Sequence, residues 1–158
     1  MADVMSPAER SALMSRIRGR DTKPERALRS ALRRSGVMFR SQRRIGGVTV
    51  DVAIPDMRLA LFVHGCFWHG CPRHYSPPAS NRRYWREKLE GNRARDRKQA
   101  RAVRAAGWTP VVVWEHSLKA DPAGAARAAL RRRMPRSRSR QGRRRSSAPS
   151  SENGTPRR

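Results

Sequence analysis

Val48-Thr-Val-Asp-Val-Ala-Ile-Pro-Asp-Met-Arg-Leu-Ala-Leu-Phe-Val-His64 is the stretch on which the fold turns. Its first arm, residues 48–54, is rich in β-branched side chains and carries one acid, Asp51, between Val50 and Val52. Successive side chains of a strand point to opposite faces, so Asp51 faces away from both valines. Pro55-Asp56 is a turn signal. Residues 59–63 form a short, continuously apolar run, the pattern of a strand buried on both faces. Together they read as a hairpin that brings Asp51 close to the strand end at Val63-His64.

The chain continues as His64-Gly-Cys66-Phe-Trp-His69-Gly-Cys71-Pro-Arg-His74, which holds both cysteines and three of the four histidines in eleven residues. Such a cluster in a chain with only two cysteines favours metal over a disulfide framework. Structural zinc takes four Cys or His ligands in a tetrahedron. Cys66, Cys71 and His74 supply three. His116 follows the strand-like run Val111-Val-Val-Trp-Glu115, and supplies the fourth if that strand lies beside the one ending at Val63. His69 also stands three residues from a cysteine and competes for that position. Its other reading is a general base, because imidazole titrates near neutrality. Phe67 and Trp68 sit in this ligand loop away from any periodic apolar face, which suits a wedge that stacks on a partner.

Other elements follow from caps and periodicity. Ser6-Pro7-Ala8-Glu9 and Thr22-Lys-Pro-Glu25 are capping boxes that open helices ending near Arg18 and Gly36. Val37-Met-Phe-Arg40 is a short strand candidate. Asn81 is placed to cap a long basic helix reaching about Ala106, and Asp121-Pro122 opens a last helix. The order predicts a mixed sheet flanked by helices. The expected organisation is an N-terminal helix in residues 1–20, a catalytic domain in 21–133 and a disordered Arg/Ser-rich tail in 134–158.

The formal charge is +25, of which residues 131–158 carry only +10. The remaining part is therefore strongly basic itself, which points to nucleic acid. The N-terminus has no signal-peptide pattern, and no apolar run approaches the ~20 residues of a membrane span. A cytoplasmic, nucleoid-associated protein is expected.

At these residues the chain resembles the very-short-patch-repair (Vsr) DNA mismatch endonucleases. The carriers are Met14-Ser-Arg-Ile-Arg-Gly-Arg-Asp-Thr-Lys-Pro-Glu25, Phe62-Val-His-Gly-Cys-Phe-Trp-His69, Tyr84-Trp-Arg-Glu-Lys88, Gly91-Asn-Arg-Ala-Arg-Asp-Arg97 and the Gly107-Trp and Val-Trp-Glu115 segments. The resemblance implies an α/β restriction-endonuclease-like fold with a structural zinc site. It implies a magnesium-dependent nick 5′ of the mismatched thymine in a T:G pair in double-stranded DNA. It also implies roles: Asp51 and the Val63 backbone carbonyl for Mg²⁺, His69 as general base, and Glu25 and His64 for metal-bound waters. Phe67, Trp68 and Trp85 would unstack the mismatch, Lys88 and Asn92 would read it, and Met14 and Ile17 would enter from the opposite groove. Mismatch-repair proteins and a repair polymerase are the implied partners, acting with a monomer.

The chain departs from the family pattern in places. Val50 stands where a proline often precedes the metal-binding acid, Val63 where some members have threonine, and His116 where a cysteine is found. The zinc set Cys66, Cys71, His74 and His116 is thus a spacing inference of this sequence. Glu25 is equally the capping partner of Thr22. Two other readings share these residues: a zinc-stapled DNA-binding module without cleavage, and a restriction-type nuclease of other specificity.

Overall fold

The computed structural model describes residues 20–132. The expected N-terminal helix with Met14 and Ile17, and the tail from 134 onward, lie outside the described residues.

Four strands form one sheet in the order β1-β2-β3-β4: β1 Arg40–Ile45, β2 Val48–Ile54, β3 Leu59–His64 and β4 Thr109–Trp114. The first three are antiparallel neighbours, and β4 lies parallel to β3. The hairpin expected at 48–63 is there, its turn wound as a 3-10 helix over Pro55–Met57. Helix α1 (Lys23–Arg34) precedes the sheet, α2 (Arg82–Ala105) crosses from β3 to β4, and α3 (Glu115–Ala120) and α4 (Pro122–Leu130) follow. No helix among the described residues is long and apolar enough to cross a membrane.

Both faces of the sheet are covered, which explains why β3 reads as an unbroken apolar run. On one face Leu28 and Leu32 of α1 pack with Val52, Ile54, Leu59, Leu61, Val111 and Val113 and with Leu118 and Ala126. On the other, Val103 of α2 meets Ile45, Ala53, Ala60 and Phe62. The parallel pairing runs from Leu59 opposite Thr109 to His64 opposite Trp114. Both strands therefore end together, and the loops that leave them share one edge of the sheet.

Three local expectations are corrected. The first strand is not Val37-Met-Phe-Arg but Arg40-Ser-Gln-Arg-Arg-Ile45, an edge strand whose side chains are mostly exposed. Backbone pairing with β2 forms it, and no apolar alternation announces it. Asn81 precedes α2 but in a left-handed conformation (φ 52°), and its side chain makes no capping bond. Glu115 does not extend β4 but opens α3. Elsewhere the caps act as expected. The Thr22 side chain accepts from the Glu25 N–H, and Asp121 accepts from the Gly124 N–H.

Candidate active site and metal centre

The shared end of β3 and β4 carries two clusters. In the first, Cys66, Cys71, His74 and His116 place their donor atoms within 4.8 Å of one another. The His116 Nδ1 is 3.3 Å from the Cys66 Sγ and 3.5 Å from the Cys71 Sγ, and the His74 Nδ1 is 3.8 Å from the Cys71 Sγ. Zinc–sulfur and zinc–nitrogen bonds meeting at the tetrahedral angle separate S from N by about 3.5 Å. The donor set thus has the dimensions for one tetrahedral ion. Its protonation leans the same way at Cys71. Burial pushes that thiol up, but the backbone N–H groups of Arg73 and His74 and the His74 ring outweigh it and bring it down to about 7. Burial, with the charges of His74 and Arg73, lowers His116 and favours the neutral, ligating imidazole.

The second cluster contains His64, His69 and Asp96. His69 Nδ1 lies 2.7 Å from Asp96 Oδ2, a carboxylate of α2. A carboxylate accepts from Nδ1–H, which leaves Nε2 as the basic nitrogen. The His69 ring stacks on His64 with centroids 3.9 Å apart and 13° between planes. His64 is buried, and burial followed by the charge of His69 lowers its pKa to about 4. It is a neutral imidazole at physiological pH. Of the two histidines that could join the cysteines, His74 is therefore with them and His69 is with Asp96.

Asp51 stands beside the second cluster. The β2–β3 register reaches Val52 opposite Leu61, and beyond it the Val63 N–H donates to Asp51 Oδ2 at 2.7 Å. A side chain takes over where the ladder ends, and pins the carboxylate to the end of β3. Burial is the main reason that Asp51 is raised to about 6, with the Glu25 charge adding to it. The Val63 N–H and His69 oppose the rise, so both Glu25 and His69 lie within electrostatic reach. Glu25 is itself buried and serves the α1 cap: its carboxylate accepts from the Asp21 N–H and the Thr22 hydroxyl, both at 3.0 Å. Arg29 approaches it to 3.7 Å.

The aromatic residues form a third patch. Phe67 packs edge-on against Trp68 and Trp85, each with centroids 5.2 Å apart, and against Tyr75. Lys88, Leu89 and Asn92 line the shallow cleft they enclose. The rings are half-buried against one another rather than in the sheet core. Helix α2 holds their loop from behind. Asn92 is buried, and its Nδ2 donates to the Trp68 carbonyl at 2.7 Å while its Oδ1 accepts from Arg95. In the free protein that amide is engaged with the loop, so reading a base would require its release. Arg93 donates to the Gly70 carbonyl, and a Cβ at Gly70 (φ +62°) would stand 2.5 Å from the guanidinium. Glycine enters this left-handed conformation without strain, and a side chain there would displace the Arg93 guanidinium.

The sequence of 158 residues is similar to known proteins over most of its length. A profile of the family described as DNA mismatch endonuclease Vsr matches residues 2–74. The type II nicking enzyme V.XorIIP of Xanthomonas oryzae is 45% identical over 133 residues, 83% of this chain and 96% of that one. The DNA mismatch endonuclease Vsr of Escherichia coli is 37% identical, covering 75% of this chain and 77% of its own. The chain belongs to the Vsr family. The type II nicking enzyme V.NaeI of Lentzea aerocolonigenes is 42% identical, covering 75% of this chain and 74% of its own. In structure, the catalytic domain of the homing endonuclease I-Bth0305I aligns with a TM-score of 0.46 at 14% identity, covering 68% of this chain and 91% of that domain. This Vsr-family chain is a DNA endonuclease of mixed α/β fold.

Two residues of the site, Asp96 and Tyr75, were not singled out by sequence. Asp96 was visible only as the end of the Asn-x-x-x-Asp pattern, where four residues bring Asn92 and Asp96 to one helix face. Tyr75 joins the aromatic patch from the segment between β3 and α2. Glu115 accepts from the Cys66 N–H at 3.3 Å and is held by Lys119, tying the metal loop to α3.

Proposed function

We propose that this endonuclease nicks double-stranded DNA 5′ of the mismatched thymine in a T:G pair, by magnesium-dependent hydrolysis. The observation that carries the reading is the meeting, at one strand end, of Asp51, the His69–Asp96 pair and the half-buried Phe67, Trp68 and Trp85. Asp51, the backbone carbonyl of Val63 and waters held by Glu25 and His64 are the hard oxygen and water-ordering groups that suit Mg²⁺. A buried carboxylate beside a second acid, in a basic chain, also favours a cation there. The chemistry supplied by that ion is charge neutralisation at the phosphate and a more acidic water. His69, oriented by Asp96, would take the proton of the attacking water through Nε2, while His64 holds the ring by stacking. Zinc on Cys66, Cys71, His74 and His116 would be structural.

For recognition, Phe67, Trp68 and Trp85 would stack on the bases beside the mismatch. Unstacking costs a few kcal/mol and least at a mispair, which is a source of selectivity. Lys88 and Asn92 are assigned to the bases, and Met14 and Ile17 of the N-terminal segment to the opposite groove. The arginine-rich tail would add salt-sensitive phosphate affinity. Strand-resolved nicking of T:G and matched duplexes tests the whole reading; equal cleavage of both would overturn it. Trp68→Ala should bring the two rates together, with about a tenfold loss on T:G, since base–aromatic stacking contributes ~1–3 kcal/mol.

Asp96→Asn tests the general base. The expected result is a fall in the nicking rate on the order of 10²-fold, with T:G binding in EDTA unchanged. A fall in binding equal to the fall in rate would instead make Asp96 a support of the DNA surface.

A further inference from the structure

Gln42 is the residue of β1 that lies across from Asp51. The pairs Ser41–Val52 and Arg43–Val50 flank it, so positions 42 and 51 face each other. Two features set it apart. Its backbone is left-handed (φ 50°) in the middle of a strand, a region that non-glycine side chains seldom enter. Its Nε2 is the one buried side-chain nitrogen or oxygen among the described residues that has no hydrogen-bond partner. Strain and an unmet buried donor both cost stability, and they concentrate where a ligand is awaited. The amide faces the Asp51 carboxylate from beyond ordinary hydrogen-bond distance, and as a donor toward it opposes the rise of its pKa.

A side-chain amide carries two N–H donors; one can face Asp51, and the second is left for an acceptor that comes with the substrate. We propose that Gln42 is a substrate-binding residue, whose side-chain amide donates to a non-bridging oxygen of the scissile phosphodiester at the Asp51 site. The assignment rests on the reading of that site as the place of cleavage. It gives the phosphate a fixed donor from β1, opposite the groups that come from β2 and β3. It also accounts for the left-handed turn, which is retained for where it sends the side chain.

The test uses Gln42→Gly, because glycine accepts a positive φ and keeps the strand path. Binding to a T:G duplex is measured in EDTA, with an ordinary phosphate or a neutral methylphosphonate at the scissile position. The expected result is a loss of about tenfold on the phosphate duplex and none on the methylphosphonate duplex. Melting should stay at or above that of the wild type. Gln42→Glu, which keeps the shape and replaces the donor by a negative charge, should bind the phosphate duplex more weakly still. Equal binding by all three proteins, or the same loss on both duplexes, would overturn the assignment. Nicking by Asp51→Asn in magnesium separates the two levels of inference. If that variant still nicks, the site itself is misread; if it is inactive while Gln42→Gly binds like wild type, only the role of Gln42 fails.

Discussion

Asp51→Asn should lose nicking by at least ~10³-fold, yet melt higher than the wild type when both are free of divalent ions. The first half follows from the ligand role, since a carboxylate that holds the cation at the phosphate is worth several kcal/mol in the transition state. The second half follows from burial. The folded-state pKa of Asp51 is raised to about 6, first by burial and then by Glu25. A raised pKa means that the folded state prefers the protonated form. The stability linked to it is fully present below the ordinary carboxylate range, near pH 4, and is lost as pH rises through 6. Above that, the ionised group works against the metal-free fold. Asparagine removes the charge and can still accept from the Val63 N–H. The gain at pH 7.5 should be on the order of 1–2 kcal/mol, read as a rise of roughly 4–10 °C, and should vanish near pH 4. Saturating Mg²⁺ should narrow the gap, because it stabilises only the wild type. A variant that melts lower than wild type in EDTA at pH 7.5 would show that Asp51 is held by its neighbours rather than strained among them.

That opposition between stability and activity was only partly legible in the sequence. The apolar run of β3 and the β-branched arm of β2 announce the hairpin, and the caps at Thr22 and Asp121 announce α1 and α4. These signals are local and repeat along the chain. β1 has none: Arg40-Ser-Gln-Arg-Arg-Ile45 is polar, and exists because β2 offers it an edge. The same edge carries Gln42, so the residue facing Asp51 was hidden with its strand. The site divides similarly. Cys66, Cys71 and His74 are neighbours in sequence, and their spacing alone groups them. Which of His69 and His74 joins them depends on α2, because Asp96 draws His69 away from 27 residues downstream. Asn92 reaches the Trp68 carbonyl across 24 residues in the same way. A long helix with one face toward a loop can be read from periodicity; its rotation about its axis cannot.

Cys71→Ser should cost more in folding than any other change in the loop that carries His69 and Trp68. From Phe62 to Val103 the one apolar residue in the buried core is Cys71. The segment between β3 and α2 therefore has no core of its own. It is held by three side chains of α2, Asn92, Arg93 and Asp96, by Glu115, and by whatever joins the four Cys and His donors. Structural zinc in small sites contributes on the order of 10 kcal/mol of binding energy to folding. Wild-type protein purified without chelator should contain one zinc per chain, and Cys71→Ser little or none. The variant should melt on the order of 10 °C lower, and its aromatic fluorescence should report Trp68 and Trp85 exposed to water. Nicking should fall with it, because the base and the wedge sit between the zinc ligands in sequence. His116→Cys is the informative control. It offers a thiolate from the same place on α3, so zinc content and melting should be retained, whereas His116→Ala should lose both. Should the wild type prove free of zinc while melting no lower than after zinc is added, the four donors would be a packed cluster of thiols and imidazoles, and the loop would owe its order to α2 alone.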